Sequence, residues 1–211
     1  MREQVAYPRT HFGGSSQTCL LRPNLLASQK RITVKFVTVS SVEFNLARVV
    51  AAVAKAHPER VALIHQGTEI LFPDFVDRYR RLGNAFAEVG LGCHTDRSAL
   101  ESHESGQDHV ALYLNNGSEY LESMLGGWVA RTATLNVNHR YVAEELHYLL
   151  SDSAAKAVVV NSMYAPNLAE VLSDLPDVEL IVQVADQSGN ELLPGAVPYE
   201  EFVRAQVPRS L

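Results

Sequence analysis

After an irregular beginning, the pattern of apolar and polar positions predicts a helix, a β-hairpin and a longer helix. Asn45 caps the first helix and Pro58 ends it, Gln66–Thr68 joins the two hairpin strands, and Pro73 and Gly90 bound the second helix. Apolar residues at helical spacing define the face that each helix buries. These faces are Leu46, Val49, Val50 and Val53 in the first helix, and Phe75, Val76, Tyr79, Leu82 and Phe86 in the second.

From His109 to Val184 the pattern alternates between strands and helices, which indicates an α/β fold. We predict a partial doubly wound, mostly parallel sheet with flanking helices, preceded by the helix and hairpin. Asn116 or Ser118 caps the first helix of this region. The predicted strands include Val110–Leu114, Ala133–Val137, Ala157–Val160 and Val178–Val184, and the helix faces are Tyr120, Leu121, Met124, Leu125 and Trp128, then Val142, Leu146, Leu149 and Leu150.

Two polar segments interrupt this regularity. Leu91–Asp108 is long for a loop, so it is either an excursion or carries a short helix. The tail after Val184 reads as a polar loop followed by one helical turn. We expect the last predicted strand, Val178–Val184, to be an exposed sheet edge, and therefore poor solubility or an oligomer.

Charge divides the chain at about residue 42. Residues 1–42 carry six basic side chains and one acid, a sum of +5. Because the net charge of the whole chain is −6, the remaining residues carry a net charge of −11. This leader resembles an organelle transit peptide, because it is basic, poor in acids and rich in Ser and Thr. The alternatives are a disordered extension or upstream sequence from a start codon placed too early. We assign the folded domain to residues 43–211.

Composition excludes several classes of partner. The net charge of −6 leaves no basic face for nucleic acid. No apolar run approaches the ~18–20 residues that a membrane helix needs, so we expect no transmembrane segment. Cys19 and Cys93 read as two free thiols of a reducing compartment, and we expect a cytoplasmic protein.

The turn Asn115–Glu119 follows a predicted strand, where an α/β sheet places its ligands. It could present helix N–H groups to an anion, but it has one glycine and no following Lys-Ser or Lys-Thr. We therefore favour a plain strand-to-helix turn. The lysines, none of them in a glycine-rich loop, are Lys30, Lys35, Lys55 and Lys156.

Other candidates for chemistry also have plainer interpretations. A metal site at Cys93, His94, His103 and His109 lacks the paired spacing of zinc ligands. No GxSxG turn supplies a nucleophile, and four histidines have no evident partner in the sequence. Those histidines are His57, His65, His139 and His147.

Polar residues around the predicted fourth helix are the best placed for substrate contact. The carboxyl end of a predicted strand is followed by Asn138, His139 and Arg140. We favour the interpretation in which Asn138 turns the chain and Arg140 pairs with a nearby acid. Glu144 and Glu145 read as first-turn acids that the helix dipole favours, in preference to a catalytic pair. We expect no catalytic, cofactor-binding or metal-binding residue in this chain.

The stretch "HVALYLNNGSEYLESMLGGWVARTATLNVNHRYVAEELHYLLSDSAAKAVVV" resembles the amino-terminal part of the AMP-forming acyl-CoA synthetases, which are adenylate-forming ligases. The resemblance covers about residues 43–203 and includes the opening helix, hairpin and long helix. The long polar loop and "LSDLPDVELIVQV" resemble in particular the actinobacterial fatty-acyl-CoA synthetases. The matching marks are Asn115 or Asn116, Glu119-Tyr120, Asn136 or Asn138, Glu145-Leu146 and Ser153-Ala154.

The resemblance implies activation of a fatty acid or other carboxylate by ATP and magnesium, then thioester formation with coenzyme A. It also implies that the phosphate loop, the magnesium-serving Thr-Glu, the ribose-binding Asp and the catalytic Lys lie downstream of the matched region. We therefore expect this chain to bind none of these cofactors and to be inactive alone. The alternatives are an interaction module that docks on a full-length synthetase, and a free nucleotide-binding domain.

Overall fold

The computed structural model describes residues 45–205, and the predicted leader lies outside them. Helices and strands alternate along this part of the chain, as the periodicity predicts. The helices are α1 Leu46–Ala56, α2 Phe72–Glu88, α3 Ser118–Val129, α4 Ala143–Asp152, α5 Ala165–Val171 and α6 Tyr199–Arg204. The strands are β1 Val61–His65, β2 Thr68–Leu71, β3 His109–Tyr113, β4 Ala133–Asn136, β5 Ala155–Asn161, β6 Leu180–Val184 and β7 Val197–Pro198.

Five strands form a parallel sheet in the order β4-β3-β5-β6-β7. The central strands are continuous runs of Val, Ala and Leu, because helices cover both faces of the sheet. The helices α2, α3 and α6 pack on one face around Phe86, Val110 and Val159. On the other face α4 and α5 pack around Leu146, Val158 and Leu168. The predicted α/β fold is confirmed.

The predicted exposed edge at the last long strand is wrong. β6 has β5 on one side and β7 on the other, where Val182 and Gln183 pair with Val197 and Pro198. β7 is only two residues long, which is why strand periodicity gives no signal for it. The predicted helical turn after the polar loop is α6, whose Tyr199 and Phe202 are buried.

The antiparallel hairpin β1-β2 and α1 pack on α2 and α3 as a second small core. Gln66 and Gly67 form the two-residue hairpin turn, both at positive φ. Asn45 caps α1 as predicted, and its Oδ1 accepts from the Ala47 N–H at 2.8 Å. The predicted buried face of α1 is wrong for Leu46, Val49 and Val53, which are exposed, whereas Val50 packs on this core beside the buried Ala47 and Ala54.

The helices α2 and α3 pack closely through small residues. Every predicted face residue of α2 is buried, but α3 buries Glu122, Ser123, Gly126 and Gly127 beside Leu125. Leu121, predicted to face the core, is exposed. The N-cap of α3 is Gly117, with no side-chain cap, and neither Asn116 nor Ser118 takes that role. Glycines let the two helix backbones approach each other. The spacing of large apolar residues in the sequence does not predict such a close helix contact.

The polar segment before β3 is an excursion that closes on itself, with a single 3₁₀ turn at Arg97–Ala99. A β-bridge joins Cys93 to Gln107, and the Gly106 carbonyl accepts from the His94 N–H at 2.7 Å. The Arg97 guanidinium donates to three backbone carbonyls inside the loop, those of Glu101, Ser102 and Glu104. In the part of the chain that the structure describes, no helix is long and apolar enough to cross a membrane.

Candidate functional site

The chain leaves the sheet in opposite directions after β3 and after β5, since α3 lies on one face and α5 on the other. Open α/β sheets bind ligands at such a switch point, outside the carboxyl ends of the strands. A cleft of about 550 Å³ opens there. Its walls are Leu114–Gly117 after β3, Asn161 and Met163 after β5, Val184–Ser188 after β6, and His65 of the hairpin.

Hydrogen bonds fix the loops around this cleft. Asn161 Oδ1 accepts from the Asn115 N–H at 2.7 Å, and the Tyr164 hydroxyl donates to Asn115 Oδ1. Asp186 accepts from the N–H groups of Met163 and Ser188, at 2.8 and 2.9 Å. The loops after β3, β5 and β6 are therefore joined, and the cleft is a preformed feature of the sheet edge.

A buried amide holds the loop that follows β6. Gln183 is 3% exposed and its Nε2 donates to Ser162 Oγ and to the Glu191 carbonyl, both at 2.9 Å. Its Oε1 accepts from the Leu193 N–H at 2.9 Å. Both the amide nitrogen and the amide oxygen of Gln183 are therefore hydrogen-bonded, and they tie this loop to the turn after β5.

The electrostatics of the cleft disfavour a triphosphate. Among the residues that the structure describes, no lysine or arginine lines the cleft, whereas Glu119 and Asp186 do. Partial burial acts to raise the pKa of Asp186, but hydrogen bonds from Ser188 and the Met163 N–H outweigh it and lower that pKa. The carboxylate is therefore charged at neutral pH, where it repels phosphate.

The predicted strand-to-helix turn at Asn115–Glu119 borders this cleft and carries an acid at the start of α3. Glu119 lies in the first turn of α3 and its Oε2 accepts from Ser118 Oγ at 3.1 Å. The same oxygen lies 3.0 Å from where a Cβ on Gly117 would stand. A carboxylate in the first turn complements the helix dipole and disfavours a second anion there.

The four residues considered as metal ligands do not converge on one site. His94 Nε2 lies 2.6 Å from Asp108 Oδ2, His109 contacts the Ser153 carbonyl and Ser105 Oγ, and Cys93 Sγ contacts the Thr95 carbonyl. His103 is exposed. Within residues 45–205 there is no group of three or more His, Cys, Asp or Glu side chains that could hold a metal ion.

The polar residues after β4 are exposed and stand outside the cleft. Asn138 Oδ1 accepts from the Arg140 N–H at 3.1 Å, so Asn138 turns the chain as favoured. Arg140 has no ion-pair partner among the described residues, so the predicted pairing with an acid is wrong. Glu145 accepts from the Val142 N–H at 3.2 Å, as a first-turn acid of α4 does.

The described histidines without a sequence partner lie apart. His65 lines the cleft, with its ring beside Gly117. The His139 ring is 6.4 Å from Tyr164, which stacks on Tyr113. His57 is exposed as the C-cap of α1, and His147 lies on α4. Among them, only His65 reaches the cleft.

The most buried ionisable network lies elsewhere, between α2, α3 and α6. Glu122 is 1% exposed and accepts from Arg78 Nε and the Tyr199 hydroxyl, each at 2.8 Å. Arg78 also pairs with Glu200 at 2.7 Å. Burial raises the pKa of Glu122, and Arg78 and Tyr199 lower it again without outweighing burial. The network fastens helices together, and sequence periodicity missed it because Glu122 interrupts an apolar face.

The comparisons with known proteins identify the family. The family model described as AMP-binding enzyme matches residues 50–209. The chain belongs to the AMP-binding enzyme family. The predicted resemblance to the amino-terminal part of the AMP-forming acyl-CoA synthetases is thereby confirmed.

Individual relatives of this AMP-binding family are similar over most of the chain. Medium-chain acyl-CoA ligase Mig of Mycobacterium avium is 45% identical over 172 residues, which are 80% of this chain and 31% of that protein. The 3-oxocholest-4-en-26-oate–CoA ligase of Rhodococcus rhodochrous is 30% identical over 165 residues, which are 78% of this chain and 27% of that protein. The chain thus spans about a third of the length of these curated relatives.

A solved structure shares the fold of this AMP-binding family member. The acyl-CoA synthetase of Brucella canis superposes on this chain with a TM-score of 0.62 at 23% identity. The superposed region is 79% of this chain and 28% of the Brucella canis chain. This likeness concerns the fold alone.

Proposed function

We propose that residues 43–211 form the first part of the AMP-binding domain of an acyl-CoA synthetase. In the full-length enzyme, a fatty acid or other carboxylate, ATP and coenzyme A react to give acyl-CoA, AMP and pyrophosphate. The single observation that carries this proposal is the 45% identity to the medium-chain acyl-CoA ligase of Mycobacterium avium. We also propose that the enzyme works in the cytoplasm.

Within that enzyme, this chain is a scaffold and contributes no catalytic group. Adenylation places charge on phosphate oxygens, which positioned donors, lysine and magnesium must stabilise. The cleft at the carboxyl ends of the strands offers Glu119 and Asp186 instead, and Lys156 lies at the other end of β5, paired with Asp177 and Glu179. We therefore infer that groups outside residues 45–205 bind ATP, magnesium and coenzyme A.

A chimaera tests the proposal. The 172 matched residues of the Mycobacterium avium Mig protein are replaced by the corresponding residues of this chain. We expect the chimaera to exchange labelled pyrophosphate into ATP in the presence of a medium-chain fatty acid. A chimaera that melts cooperatively but shows no exchange contradicts the proposal.

A further inference from the structure

On the helix α1, three large apolar side chains are exposed while two alanines are buried. Ala47 and Ala54 are 0% and 6% exposed, whereas Leu46, Val49 and Val53 are 49%, 42% and 40% exposed. We call these last three residues the α1 outer stripe. An amphipathic helix of a finished domain does the reverse, with large apolar residues inside and polar residues outside.

The stripe is continuous and its position is fixed. At 100° per residue, the three side chains fall within an arc of about 60° on the side of α1 away from Ala47 and Ala54. Two long-range hydrogen bonds hold the helix in this orientation. Asn45 Nδ2 donates to the Trp128 carbonyl at 2.9 Å, and the Tyr79 hydroxyl donates to the Ala47 carbonyl at 2.8 Å. The exposure of the stripe therefore follows from how α1 is anchored.

The charges of α1 lie away from the stripe. The helix contains no acidic residue, and its two charged residues, Arg48 and Lys55, are both exposed. They stand seven residues apart, so both lie on one line of the helix, about 100° or more around from the stripe residues. A surface complementary to the stripe is therefore apolar.

We propose that the α1 outer stripe is the contact through which this chain packs against the remaining part of the ligase. This inference rests on the proposed function. The chain spans 31% of the Mycobacterium avium relative, so more than half of that polypeptide is available to cover the stripe. Three side chains cover far less than the roughly 800 Å² per partner that a stable dimer of two separate chains needs. A contact within one longer polypeptide needs no such area.

The test compares the same substitutions in the 211-residue chain and in the chimaera described above. The double variant Val49→Gln/Val53→Gln keeps helix propensity and removes the apolar stripe. We expect its Tm to match wild type within about 1 °C in the chain alone, and to fall by about 5 °C or more in the chimaera. Leu192→Gln, at a side chain 47% exposed in the loop before β7, is the matched control and leaves both Tm values unchanged.

Three outcomes overturn the inference. The first is that the double variant leaves the Tm of the chimaera unchanged. The second is that the double variant lowers the Tm equally in the chain alone, which would mean that this chain covers its own stripe. The third is a chain that sediments as a dimer and becomes monomeric with the double variant, which makes a second copy the occupant. Loss of pyrophosphate exchange in the unmodified chimaera contradicts the proposed function separately, because it does not depend on these Tm differences.

A chimaera that does not fold contradicts the proposed function, and the inference, which rests on that function, is overturned with it.

Discussion

Gly83 lies where α2 packs against α3, and no larger residue fits there. A Cβ at this position would stand 2.6 Å from two atoms of Val129 and 2.8 Å from the Gly126 carbonyl oxygen. We expect Gly83→Ala to lower the free energy of unfolding by about 2 kcal/mol, since overpacking outweighs the gain in helix propensity. Gly92→Ala is the control in urea denaturation, because its Cβ meets only Ala130 O at 3.4 Å. Equal stability of the two variants contradicts this packing.

The ion pair of Arg78 with buried Glu122 is a second residue-scale test. Arg78→Met leaves the Glu122 carboxylate buried without its cation, which costs about 3–5 kcal/mol of unfolding free energy. Lys156→Met is the control, because Lys156 pairs with the exposed Asp177 and Glu179, and ion pairs in solvent contribute little to stability. Similar losses of unfolding free energy in both variants would contradict the claim that the buried Glu122 carboxylate needs Arg78 as its cation.

The raised pKa of Glu122 also predicts a pH dependence. The folded state binds this proton more tightly than the unfolded state, so the contribution of Glu122 to stability falls as pH rises from about 4.3 through the raised pKa. We expect the unfolding free energy of wild type minus that of Glu122→Gln to decrease between pH 4 and neutral pH. The opposing titration of Glu200 is common to both proteins. A difference that grows with pH contradicts the direction of the shift.

At the residue scale, sequence predicted caps and turns better than it predicted buried polar groups. Asn45 and Gln66–Gly67 act through local backbone chemistry, which three or four neighbouring residues determine. Glu122 and Gln183 are buried because partners 44 residues away or 8–21 residues away satisfy them. Local patterns carry no information about such partners.

At the scale of elements, the Arg97 side chain contributes three hydrogen bonds to the interior of the excursion Cys93–Gln107. We expect Arg97→Lys to raise amide exchange rates within the loop by tenfold or more, because lysine cannot donate to three carbonyls in the geometry of a guanidinium. The Tm changes little, since the loop contributes no residue to the main core. Arg140→Lys is the control in hydrogen exchange by mass spectrometry. Unchanged exchange in the Arg97 variant contradicts a role in closing the loop.

Periodicity predicted the existence of every long element but not always the face it buries. The face of α2 is as predicted, because one stripe of large apolar residues meets the core. The buried residues of α1 are two alanines, and those of α3 include two glycines and two polar residues beside Leu125. Such small and polar residues carry little hydrophobic signal. The two-residue β7 is too short for any period to be read.

At the scale of the whole molecule, the sheet explains where the cleft lies and which residues line it. The position of the cleft follows from the strand order β4-β3-β5-β6-β7, which sequence alternation implied only in outline. Its lining comes from the loops after β3, β5 and β6 and from the hairpin, which only the folded chain brings together. Self-association, expected from an incomplete sheet, stays a prediction that sedimentation would test.

The central claim is that this chain supports the active part of a ligase and supplies no group that handles a triphosphate. Exchange of labelled pyrophosphate into ATP by the purified 211-residue chain, with magnesium and a medium-chain fatty acid, tests this claim most directly. We predict no exchange above a reaction without protein. Exchange that depends on both the chain and the fatty acid would contradict the claim.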